Sequence, residues 1–120
     1  MFLNLNHQKL DVYHFSRSLV SDCYKLTNEL PSNEKFGMIS QIRRAALSVH
    51  LNIAEGASRK SANERNRFYE IARGSIIEID AALDVASDLG YVRQEQINDL
   101  NKSVITTFKI LTGLIKTSRI

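Results

Sequence analysis

Apolar residues return at alternating three- and four-residue steps in four successive segments of the chain, and this repeat limits the fold more than any other feature. Such spacing gathers apolar side chains on one face of an α-helix, and that face has to be covered. The first segment carries Val12, Phe15, Leu19, Cys23, Leu26 and Leu30, and Pro31 ends it because a residue before proline is driven out of the α region. Asn33 is expected to cap the second helix, whose stripe runs Ile39, Ile42, Ala46, Val49 and Ile53 and stops near Gly56. Ser61-Ala62-Asn63-Glu64 is a capping box that opens the third helix. The longest stripe follows, Phe68, Ala72, Ser75, Ile79, Ala82, Ala86 and Leu89, and Gly90 supplies the C-terminal cap. The last helix carries Ile97, Leu100, Val104, Phe108, Leu111 and Ile115 and is expected to fray after Lys116.

Strand signals are missing: there is no sustained alternation and no Asn-Gly or Asp-Gly turn. Short breaks make successive helices antiparallel neighbours, so the expected fold is all-α, an antiparallel up-down-up-down four-helix bundle. The 120 residues suit one domain spanning 1–120, and a hydrophobic fraction of 43% with one Pro and five Gly suits a packed core. The N-terminus lacks the basic start and apolar run of a secretory signal, and no stretch reaches membrane-spanning length, which points to a cytoplasmic protein without a membrane partner. Cys23 is the one cysteine and sits in the apolar stripe, so it reads as a small core residue rather than a redox thiol.

Beside its apolar stripe the second helix carries another, Gln41, Ala45, Ser48, Asn52 and Glu55. On the third helix Ile71, Glu78 and Val85 are seven apart, which places a carboxylate where its heptad neighbours are aliphatic. A buried, unpaired carboxylate costs several kcal/mol, so Glu78 is expected to have a partner among Arg44, Gln41 and Asn52, with Arg44 first because a guanidinium clasps a carboxylate twice. Gly74, next to Ser75, lies inside the third helix and is expected to mark the close approach of another helix. Gln41, Arg44, Ser48, Asn52, Glu55, Ser75 and Glu78 therefore read as a structural polar network that fixes helix register or serves a subunit interface.

The usual catalytic arrangements are not found. There is no Glu-x-x-His pair, no Cys/His cluster, no glycine-rich phosphate loop and no nucleophile elbow, so neither an enzyme, a metal, a cofactor nor a small-molecule substrate is indicated. His7, His14 and His50 have no ligand spacing with one another.

The ordered set Gln41-Ile-Arg-Arg44-Ala45-Ala46, Ser48, Asn52-Ile53-Ala54-Glu55-Gly56, Phe68, Ile71-Ala72-Arg-Gly74-Ser75, Glu78 and Leu89-Gly90-Tyr91 closely resembles the bacterial 23S rRNA-intervening-sequence proteins. The resemblance includes the Leu30-Pro31 turn and runs across essentially the whole chain, while His50 stands where that family more often has a small residue or proline. It implies a small up-and-down bundle, typically a homopentamer around a central opening, with no known enzymatic activity. Accessory proteins of diversity-generating retroelements have a similar bundle and ring and are thought to bind nucleic acid, an analogy at the level of fold.

The net charge of +3 is modest, but its placement is uneven. From Arg43 to Arg73 there are seven basic residues against three acidic ones, much of the excess flanking the loop between the second and third helices. Arg59, Lys60, Arg65 and Arg67 are the leading candidates for phosphates of RNA or DNA, and a ring would repeat them as a basic rim. Lys102, Lys109 and Lys116 on the last helix and Asp80, Asp84 and Asp88 on the third read as solvated faces. The expected function is a non-enzymatic ring-forming protein that binds nucleic-acid phosphates. The alternative is a protein-interaction scaffold with no nucleic-acid role, suggested by the lack of stacking aromatics among the basic residues.

Overall fold

A computed structural model of the chain describes Leu3, Leu5, His7 and residues 10–118, with side chains to 117. Four α-helices account for most of it: α1 (Asp11–Thr27), α2 (Met38–Ala57), α3 (Ala62–Asp88) and α4 (Gln94–Ser118), and no strand occurs among the described residues. Each helix lies against its neighbours in the chain and α4 returns to α1, while among these residues the backbones of the diagonal pairs, α1 with α3 and α2 with α4, stay farther apart. The apolar stripes meet at the centre. Leu19, Cys23, Ile42, Ala46, Val49, Ile53, Ala72, Ile79, Ala86 and Leu111 are fully enclosed, and each large aliphatic buried this way contributes roughly 1.5–3 kcal/mol.

The helix ends follow local chemistry. Ser61 takes extended backbone and its Oγ accepts from the Glu64 amide at 3.1 Å, the expected start of α3. At the other end Gly90 has φ of 72°, the Gly90 amide donates to the Ser87 carbonyl, and the Tyr91 amide reaches the Ala86 carbonyl at 2.9 Å. That pattern is a Schellman cap, which only a residue tolerant of positive φ completes. Asn33 does not cap α2: it lies inside a 3-10 turn, Ser32–Glu34, that follows Pro31. Glu34 does that work instead, its Oε1 accepting from the Met38 amide at 3.2 Å while Oε2 accepts from the Tyr91 hydroxyl at 3.0 Å. One carboxylate thus ties the start of α2 to the α3–α4 turn. α4 continues past Lys116 to Ser118.

A close helix approach lies at Gly56 and not at Gly74. A methyl group at Gly56 would stand 2.9 Å from Tyr69 Cε1 and 3.0 Å from Phe68 Cβ, whereas one at Gly74 meets nothing within 4 Å. Between α1 and α2, Ser16 donates to the Tyr13 carbonyl and its Oγ lies 2.7 Å from His50 Nδ1, with the imidazole stacked on Tyr13 at 4.6 Å between centroids. Satisfying both bonds requires the proton of the neutral ring on Nδ1. Burial, then the positive charges of Arg17 and His7, hold the His50 pKa below its usual 6.5.

Gly56→Ala should therefore destabilise the fold by about 1–3 kcal/mol despite its better helix propensity, while Gly113→Ala, where an added methyl meets nothing within 4 Å, should gain up to about 1 kcal/mol; urea midpoints check both. Because His50 binds its proton less readily when folded, the unfolded chain takes up more protons as the pH drops below about 6.5. Stability should accordingly fall from neutral pH towards pH 5. Thermal midpoints for the wild type and His50→Gln should show the substitution removing part of that slope.

Candidate nucleic-acid interface and polar seam

The polar stripe of α2 meets α3 along one seam. Ser75 Oγ donates to Ser48 Oγ at 2.9 Å, and the Asn52 amide, one turn on, donates to the Ser48 carbonyl at 2.8 Å and to its Oγ at 3.1 Å. Farther along, Gln41 Nε2 donates to Glu78 Oε2 at 3.3 Å. Gln41, Ser48, Asn52, Ser75 and Glu78 are thus brought together, but Arg44 and Glu55 are not. Arg44 is exposed and makes no bond to Glu78, and Glu55 pairs with Arg59 at 2.9 Å.

The expected buried carboxylate is overturned as well. Glu78 is exposed, as are Ile71 and Val85. Each of the three precedes a fully enclosed residue, Ala72, Ile79 or Ala86, by one position, and one position is about 100° around a helix. That rotation carries the row out of the core and onto the outer flank of the seam. Glu78 therefore needs no guanidinium.

The basic end is built by the short connection from Ala57 to Ala62. Ser58 folds back on α2, its Oγ donating to the Glu55 carbonyl at 2.6 Å. Arg65, one turn into α3, donates through Nη1 to the Lys60 carbonyl at 2.6 Å and to the Arg59 carbonyl at 3.3 Å. It is a staple for the loop before it is anything else. Arg59 lies over the Phe68 ring at 5.0 Å as well as on Glu55, a partly exposed pair worth only a few tenths of a kcal/mol. Lys60 and Arg67 are exposed with no hydrogen bond or ion pair among the described residues. Of the four candidate cations, two are committed within the chain and two are free.

Contacts between α3 and α4 add a fifth. Asn66 Nδ2 reaches towards the Ile115 carbonyl at 3.5 Å, so exposed Lys116 stands at the same end as the α2–α3 loop. The sequence assigned Lys116 to a separate stripe with Lys102 and Lys109; the signal that joins it to the loop is the pairing of the start of α3 with the end of α4. Sequence reasoning also missed Arg43. Its Nε donates to Thr27 Oγ1 at 2.8 Å, its Nη2 to Asn28 Oδ1 at 2.9 Å, and its guanidinium lies 4.7 Å from the Tyr24 ring centroid. It closes the end of α1 onto α2.

No group of three or more His, Cys, Asp or Glu among the described residues can hold a metal ion. Cys23 is fully enclosed, and burial with the adjacent Asp22 charge pushes its thiol up to about 12, which keeps it protonated and unreactive. No helix among these residues is long and apolar enough to cross a membrane.

The family described as 23S rRNA-intervening sequence protein matches residues 8–113 of the chain. Among solved structures, a protein of unknown function from the S23 ribosomal protein family of Bacteroides thetaiotaomicron superposes with a TM-score of 0.80 at 25% identity, covering 88% of this chain and 98% of that one. None of the curated proteins matches the sequence.

The seam makes a contrast that denaturation measures. Ser48→Ala removes the acceptor of Ser75 and one of the two acceptors of Asn52 and should destabilise the fold by about 1 kcal/mol. Glu78→Ala removes one long bond from an exposed side chain and should change stability by no more than about 0.5 kcal/mol, the reverse of the order a buried ion pair would give.

Proposed function

Since the chain belongs to the 23S rRNA-intervening sequence protein family, we propose that it is a non-enzymatic, ring-forming bundle that binds RNA or DNA phosphates at the α2–α3 end. The observation that carries this reading is the cluster of Arg59, Lys60, Arg67 and Lys116 at one end of the molecule, the first two on a loop held in shape by Arg65. A cation already ordered by its neighbours loses less freedom when a phosphate arrives, and free cations such as Lys60 and Arg67 supply the counterion-releasing charge. Five such ends in a homopentamer would act together, so contacts that are weak singly become strong in sum.

An antiparallel up-and-down arrangement, folded as one domain, belongs to the same reading. Its support is the run of the pairings: residue numbers fall on one helix as they rise on the next, from Gln41–Glu78 to Ser48–Ser75, from Asn66–Ile115 to Arg73–Thr112, and from Ser16–His50 to Thr27–Arg43. A cytoplasmic location is the compartment this function requires. A scaffold without a nucleic-acid role is the second reading, favoured by the apolar side chains left exposed on the outer surfaces, Phe36 and Leu51 among them.

Mobility shifts with structured rRNA fragments and with duplex DNA at low salt test the proposal. The wild type should retard both, with affinity falling steeply as salt rises, and Lys60→Glu combined with Arg67→Glu should weaken binding at least about tenfold. No retardation at low salt, or a double variant that binds like wild type, would overturn it. Protein partners that survive nuclease treatment in that case would favour the scaffold.

A further inference from the structure

One carboxylate at the basic end works against the charge around it. Glu55 sits in the last turn of α2, where the helix carries no basic residue, so its charge faces the negative end of the α2 dipole, a place that favours cations. It also occupies Arg59, one of the four cations of the candidate phosphate site. A site that only gathered positive charge would be better without it. The pair is held by one contact, Arg59 Nη2 to Glu55 Oε1 at 2.9 Å, with Arg59 40% exposed and Glu55 51%. Arg59 thus donates one bond here, not the two parallel bonds with which a guanidinium clasps an oxyanion most firmly. Water reaches both charges, so the pair is weak and readily exchanged.

We propose that Glu55 stands in for a nucleic-acid phosphate: it holds Arg59 in the free chain and gives up its place when a strand arrives. This rests on the phosphate-binding reading above and identifies what regulates that site. The surroundings leave the exchange to two side chains. Arg65 Nη1 donates to the Lys60 and Arg59 carbonyls at 2.6 and 3.3 Å, so the backbone that carries Arg59 is fixed. The Phe68 ring, 5.0 Å from the guanidinium, supports it whichever oxyanion it meets. Lys60, the next residue, and Arg67 are exposed and have no ion pair among the described residues, so they take the first phosphates. The following phosphate reaches Arg59, where two phosphate oxygens replace one carboxylate oxygen. A carboxylate tethered four residues away is always at hand, and Arg59 therefore opens to an oxyanion that Lys60 and Arg67 already hold nearby.

Fluorescence anisotropy with a labelled, structured rRNA fragment at low salt, with circular dichroism to verify helix content, compares Glu55→Gln with Glu64→Gln in the full chain. Glu64 is exposed in the first turn of α3 and has no ion pair among the described residues, so its loss removes the same unit of charge from the same end without touching Arg59. Glu55→Gln should bind the fragment about two- to fivefold more tightly than Glu64→Gln does, the fold-change that release of a partly exposed ion pair supplies. With Arg59→Gln also present the two substitutions should act alike, because the exchange has lost its cation. If Glu55→Gln binds no more tightly than Glu64→Gln, or if its advantage survives Arg59→Gln, the exchange is wrong while the phosphate site stands. A wild type that fails to bind the fragment at low salt would overturn the phosphate site and the exchange together.

Discussion

The missing side chain at Gly56 governs the packing of the longest helix. The Tyr69 ring stands 2.9 Å from where a methyl group would be, against the end of α2, and Phe68 Cβ stands 3.0 Å from it. That contact fixes how α3 leaves the loop, and the rest of the seam follows from it. With Gly56 against Tyr69, Ser48 falls opposite Ser75 and Gln41 opposite Glu78, eight and fifteen residues back along α2. Tertiary contact outweighs propensity here, since the glycine that weakens α2 locally is what lets two helices approach at its end.

Features set by local sequence are legible in the residues themselves. The four apolar stripes, the Ser61 cap, the Gly90 cap and the enclosed Cys23 are each decided by a residue and its near neighbours. Features set by where a helix points are not. Glu78 shares its spacing with Ile71 and Val85, and the heptad alone does not say whether the row faces in or out; α3 turns it out because Ala72, Ile79 and Ala86 already fill the inner face. Gly74 and Gly56 look alike in sequence, yet only the second faces a ring. Asn33 is a good cap by type, but Pro31 starts a 3-10 turn that consumes it, and Glu34 caps from within that turn.

The candidate cations divide for a similar reason. Counting charge between Arg43 and Arg73 treats seven residues as equivalent, whereas their neighbours do not. Arg43 is spent on Thr27, Asn28 and Tyr24, and Arg65 on two loop carbonyls. A guanidinium has five donors in a plane, so one arginine can hold a turn and still face solvent. Lysine lacks that reach, and Lys60 is left to the solvent on a loop shaped by Arg65. The basic end is therefore a structural device first, and the phosphate binding proposed for it draws on the order that device imposes.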